Sequence, residues 1–247
     1  MTDMAKIASS QTLARAMDLL DVLREGPRDL KGLQTRLGLS RSTVHRLASL
    51  LVDRQLLAVT DRRYRLGPGL IHLGFKAQEQ RDLITIARPF LADLTTETEE
   101  ATNLAVRDGD EIVYVAQVPG RRRVAVRHSV GDRNLVAGTA LGRALLTDVD
   151  AAARTRLFRD TVWAFVEGCV LHREEGGDRI CCIAAPIRDA SGTIVAALSL
   201  SSTPQYMDAD RMRVLSPRVR AAAAGVSMEL GFGDLTDQWA TGQAGAL

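Results

Sequence analysis

The stretch Gly38-Leu39-Ser40-Arg41-Ser42-Thr43-Val44-His45-Arg46 gathers hydroxyls and guanidinium groups at the start of a periodic helix. Val44, Leu47, Leu50 and Leu51 define that helix's apolar stripe, which leaves Arg41, Ser42, Thr43, His45 and Arg46 pointing outward. Ser40 is placed to cap the helix through its hydroxyl, a contribution of about 1 kcal/mol. Hydroxyls and backbone amides at a helix start suit phosphate oxygens, and arginine suits the O6/N7 edge of guanine. A second basic cluster, Arg62, Arg63 and Arg65, follows closely. The chemistry on offer is recognition of a double-stranded DNA operator. Arg41 or Arg46 would read a base, and Arg62, Arg63 and Arg65 would hold backbone. His45 has two readings, a pH-sensitive contact or an outward-facing structural histidine.

Those contacts need a scaffold. Leu13 to Leu23 carries helical spacing and stops at Gly26-Pro27; Leu30, Leu33 and Leu37 mark a short helix ending at Gly38. The periodic helix after Ser40 is the third. Alone, this pattern also fits a plain helical hairpin, and Gln34 stands where a small residue is more usual. Leu56–Thr60 and Tyr64–Leu66 then read as strands around the basic tip Asp61-Arg62-Arg63. Helix, turn, helix and basic hairpin together predict a winged helix-turn-helix, whose second helix enters the major groove.

Charge agrees with that division. Residues 1–80 hold 13 Lys and Arg against 8 Asp and Glu, a net of +5; the remainder holds 19 against 22, a net of −3. A basic front on an acidic body points to a polyanion partner for the front. The N-terminus lacks a basic region followed by an apolar run, and no stretch is apolar enough to span a membrane. Three cysteines, two of them adjacent, make a poor disulfide set and point to a reduced cytoplasm.

Beyond Gly67-Pro68-Gly69, Leu70 to about Gln80 reads as a linker helix. Further elements are expected as helix Ile84–Leu94, strands Ala101–Val106, Glu111–Gln117 and Val124–Ser129, and helix Gly138–Leu146. Strands Ile180–Ile187 and Thr193–Ser201 and a helix from Asp208 to Leu230 complete the set. Without regular β-α alternation, the expected class is α+β with an antiparallel sheet. The organisation expected is a DNA-binding domain over 1–68, a linker helix over 69–82, a second domain over 83–235 and a tail over 236–247. An enzyme built on Cys182, His172 and Glu174 finds no support, because nothing in their spacing demands contact and no nucleophile elbow or phosphate loop appears. His45, His72, His128 and His172 with the cysteine pair lack zinc-site spacing, so no metal or cofactor is expected.

The motifs "RAMDLLDVL", "LGLSRSTVHRLASLL" and "RYRLGPGLIHLG", followed by "GTALGRALL", "GCVLHREE" and "CCIAAPIRDASGTIVAALSLS", resemble the IclR family of bacterial transcriptional regulators. The resemblance implies a GAF-like effector-binding and oligomerisation domain, a homodimer or homotetramer, and repression or activation under a small organic-acid or sugar-acid effector. Repression is the expected sign. A regulator that senses no ligand and only oligomerises through its second half is the alternative. Carried over by position, the effector pocket would include Ala140 and Leu141, whose amides suit a carboxylate. Ser199 and Ser201, two apart on a strand, would share one face, as would Ile180 and Cys182 on its neighbour. The other readings are an exposed sheet face for the serines and plain core packing for Cys182. His172 stands where some relatives carry an acid; it either favours a more anionic effector or faces solvent. The connection between Leu146 and Gly168 is shorter than the family pattern implies.

Overall fold

A computed structural model describes residues 3–123, 128–149, 163–166, 168–173 and 180–233, in two compact units, Met1–Gln80 and Arg81–Leu247.

In the first unit, α1 (Asp3–Arg24), α2 (Leu30–Leu37) and α3 (Arg41–Asp53) enclose buried Leu19, Leu23, Leu33, Val44, Leu47 and Leu51. Each such side chain contributes about 1.5–3 kcal/mol by leaving water. Asp29 accepts the Gly32 amide at 2.8 Å and Ser40 accepts the Thr43 amide at 3.3 Å, so α2 and α3 both begin on a side-chain cap. Gly38 closes α2 at φ 64°, the left-handed conformation that the tight interhelical turn requires. β1 (Arg28–Asp29), β2 (Leu57–Thr60) and β3 (Arg63–Leu66) form an antiparallel sheet in the order β1-β3-β2, and α4 (Pro68–Glu79) ends the unit. The β2–β3 hairpin turns through Asp61 and Arg62, both at positive φ (50° and 61°). That two-residue geometry follows the twist of the flanking strands.

Three details differ from expectation. α1 begins well before Leu13. β1 has only two residues, too few to show any period. Arg63 pairs with Thr60 inside the hairpin ladder, so the tip is Asp61-Arg62 alone.

The second unit is built on one seven-stranded antiparallel sheet, ordered β6-β5-β4-β10-β9-β8-β7. Its strands are β4 (Ala101–Asp108), β5 (Glu111–Val118), β6 (Arg133–Leu135), β7 (Trp163–Val166), β8 (Cys169–Arg173), β9 (Cys181–Arg188) and β10 (Ile194–Ser202). α5 (Leu83–Thr98) and α7 (Ala209–Glu229) pack on one face, and α6 (Ala140–Leu145), entered through a 3-10 turn at Val136–Gly138, packs on the other. Side chains alternate across the pleat: Cys181, Ile183, Ala185 and Ile187 meet α5 and α7, while Cys182 and Ala184 meet the α6 layer.

The helices and the β9–β10 hairpin lie close to their expected spans. β6, β7 and β8 were not anticipated. Of the strand expected over 124–129, residues 124–127 lie outside the described residues, and Ser129 forms a turn with Asp132. Residues 150–162, within the connection expected to be short, and the tail from 234 onward also lie outside the described residues. No described helix is long and apolar enough to cross a membrane.

Candidate functional site

Two surfaces collect the residues of interest. On the first unit, Ser40 caps α3, and its hydroxyl lies 3.1 Å from Ser42 Oγ and 2.9 Å from Thr43 Oγ1. Arg41, Ser42, His45 and Arg46 are exposed on the helix, as are Arg62, Arg63 and Arg65 on the wing. A groove of about 460 Å³ runs between α2, the start of α3 and the wing. Arg41 and Arg62 line it together, with Lys31 and Gln34. Arg63 and Arg65 alternate to the other side of β3 from the groove-lining Tyr64. The structure therefore splits the basic cluster: Arg62 joins the helix start, and the other two do not. Lys31 was missed by sequence reasoning, and Gln34 was noted there only for its size; three apart on α2, the two share the helix face that lines the groove. Arg62 holds a left-handed backbone without being glycine or asparagine, a strain of about 1 kcal/mol of the kind that collects at functional tips.

On the second unit, α6 and the sheet face beneath it enclose a cavity of about 260 Å³. Every pocket residue singled out in the sequence lines it: Ala140 and Leu141 on α6, His172 on β8, Ile180 and Cys182 at the start of β9, and Ser199 and Ser201 on β10. The ladder sets His172, Cys182 and Ser201 side by side on three adjacent strands. Cys182 Sγ is 3.3 Å from Ser201 Oγ. Ser199 and Ser201 are 1% and 2% exposed, which overturns the exposed-face reading for both. Cys182 is half-buried against the cavity rather than sealed in the core.

Five further described residues line it: Tyr114, His128, Asn134, Gly138 and Thr139. Thr139 was legible as a helix cap; its Oγ1 accepts the Gly142 amide at 2.9 Å. The Tyr114 and His128 rings stack with centroids 4.4 Å apart. Burial, with the nearby Cys182, pushes the Tyr114 hydroxyl up to about 12 against a hydrogen bond from Asn134. Burial also holds His128 below the usual histidine range, with Asp132 opposing.

His172 is depressed too, first by burial and then by the Arg143 guanidinium. Arg143 is 1% exposed and donates to the Ala137 carbonyl at 3.1 and 3.0 Å. Its Nη1 lies 3.4 Å from His172 Nδ1. A guanidinium has no acceptor, so Nδ1 must accept, and the proton of the neutral ring resides on Nε2. The first two amides of α6, on Ala140 and Leu141, have no intrahelical acceptor. At neutral pH Tyr114, His128 and His172 are thus neutral, and among the described residues the lining is rich in donors, with Arg143 seated behind His172. No Asp or Glu lines it among the described residues.

A family model of the IclR C-terminal domain of bacterial transcriptional regulators matches residues 75–167 and 155–228. The chain belongs to the IclR family. Residues 4–69 match a second model, the N-terminal domain of HVO_A0261. The IclR assignment agrees with the curated relatives. The transcriptional regulator XynR of Escherichia coli is 27% identical, over 90% of this chain and 98% of its own length. The regulator Rv1719 of Mycobacterium tuberculosis is 31% identical, over 75% of this chain and 80% of its own. Among solved structures, the repressor BlcR of Agobacterium tumefaciens superposes with a TM-score of 0.70 at 24% identity, over 91% of this chain and 98% of that one. That likeness confirms the α+β architecture with its N-terminal helix-turn-helix and GAF-like second domain. This IclR-family chain is a DNA-binding transcriptional regulator, and its relatives are regulators rather than enzymes.

Proposed function

We propose that this IclR-family protein is an operator-binding repressor whose affinity for DNA is set by a small carboxylate held in the 260 Å³ cavity. The carrying observation is electrostatic: hydrogen-bond donors line the space, the Arg143 guanidinium stands behind His172, and no described acid lines it. A cavity of that polarity is complementary to an anion. Repression is supported by relatives named as repressors, such as AllR of Klebsiella pneumoniae at 27% identity. The functional unit is a homodimer or homotetramer. Ile71 and Phe75, four apart and so on one face of α4, support this: they are 63% and 62% exposed, apolar surface that association would cover.

On the operator, Arg41 or Arg46 reads a base, and Arg62, Arg63 and Arg65 contact backbone. Capture of genomic fragments defines the operator first. Arg46→Ala is then expected to relax specificity at one position by about 1–3 kcal/mol. Arg62→Ala and Arg63→Ala should each weaken binding evenly across sequences and reduce the salt slope by about 1. Identical behaviour of the helix and wing variants in fluorescence titrations would refute this division.

The effector reading is tested by thermal unfolding against a panel of small organic and sugar acids. An acid at about 100 times its dissociation constant should add about 2.7 kcal/mol of stability to the protein. The same acid should then change operator affinity by about 1–3 kcal/mol. Stabilisation by none of the acids would favour the ligand-free alternative.

A further inference from the structure

Ser199 and Ser201 are oriented by a residue outside the cavity lining. Asn103, on β4, is 1% exposed and stands directly opposite Ser199 in the ladder. Its Nδ2 lies 3.4 Å from Ser199 Oγ and 3.2 Å from Ser201 Oγ. A primary amide has two N–H donors, and here one goes to each hydroxyl. Its Oδ1 is buried with no hydrogen-bond partner among the described residues. Turning the amide round would bring Oδ1 to the serines and take both N–H groups from their acceptors. Orphaned buried N–H groups are rarer than under-satisfied carbonyls, so the arrangement with Nδ2 on the serines is the stable one.

A hydroxyl accepts through its lone pairs but has a single proton to give. With Asn103 donating to each oxygen, each proton is directed elsewhere. Within reach of Ser201 is the Cys182 sulfur at 3.3 Å, a weak acceptor, and Ser199 lies 3.5 Å away. A carboxylate oxygen in the cavity displaces both as the better acceptor.

We infer that Asn103 is a positioning residue for the effector: by donating to Ser199 and Ser201 together, it makes both hydroxyls donors and selects a carboxylate over a neutral ligand that must itself donate. This rests on the effector reading above and deepens it, because selectivity is traced to a residue the ligand does not touch.

The test compares lactate, gluconate and benzoate with their primary amides by titration calorimetry on the full chain. Wild type is expected to prefer the acid that binds it best over the corresponding amide. In Asn103→Asp the new carboxylate accepts a hydrogen bond from each serine hydroxyl. The acid should then weaken about 100-fold, the loss of two hydrogen bonds to a charged group, and the amide less than tenfold. Asn103→Leu, which removes the donors without adding charge, should lose part of the acid preference. Near-ultraviolet circular dichroism checks that both variants are folded, and the wild-type comparison needs no variant. Equal losses for acid and amide would reduce Asn103 to packing and overturn the inference, as would wild type preferring the amide. Binding of none of the acids to wild type would instead remove the effector reading itself.

Discussion

Arg122→Met is expected to destabilise the second unit by about 4 kcal/mol, within the range for removing one partner of a buried ion pair. Glu100 is 2% exposed, and its Oε1 lies 3.2 Å from Arg122 Nε and 3.5 Å from Arg211 Nη2. Arg122 also reaches Glu99 at 2.7 Å, donates to the Thr98 carbonyl and lies over the Tyr206 ring at 5.3 Å. Methionine keeps the length of the stem and little else. The buried carboxylate is then left with Arg211, whose side chain is 39% exposed and whose contact is the longer one. The double variant with Glu100→Gln separates lost attraction from stranded charge. If the stranded carboxylate dominates, removing it as well should recover about 1–2 kcal/mol. Urea unfolding measures all three chains. A double variant less stable than Arg122→Met would show that the attraction itself, not desolvation, carries the site.

What the sequence revealed follows the range of the interactions involved. Gly38, Ser40 and the Val44–Leu47 stripe act within a few residues, so the helix-turn-helix was legible. The Asp61-Arg62 turn is local as well, and only its width was misjudged. The serine pair was legible because strand parity is local: two residues apart means one face. β8 escaped notice because Cys169 and Val170 are both buried, on opposite faces, so no polar alternation marks the strand. β6 and β7 have three and four residues, too few for a period to emerge. Tyr114, His128 and Asn134 reach the cavity only through sheet register and a turn, and Asn103 meets Ser199 across 96 positions. The buried Arg143 reads in sequence as one more helical cation, and its role appears only when α6 docks it against His172.

Gly142→Ala is expected to weaken carboxylate binding about 100-fold and to destabilise the second unit by about 2 kcal/mol. A Cβ at this position would lie 2.6 Å from Val136 C and Cα and closer still to its carbonyl oxygen. These are backbone atoms, so no rotamer change relieves the clash. α6 must move away from the 3-10 turn. Overpacking of this kind costs about 3 kcal/mol, and the better helix propensity of alanine returns about 1. The displacement reaches the site by two routes. Thr139, Ala140 and Leu141 form a wall of the cavity, and Thr139 caps α6 through the Gly142 amide itself. Arg143, the next residue, ties the turn at Ala137 to His172. Shifting both routes together loses about two hydrogen bonds to the charged ligand, each worth about tenfold. The first unit is untouched, so operator binding without ligand should remain at the wild-type level while acids no longer alter it. Titration of the operator with and without acid reads this directly. A variant that still responds to acid with wild-type affinity would show that the close approach of α6 to Val136 does not shape the site.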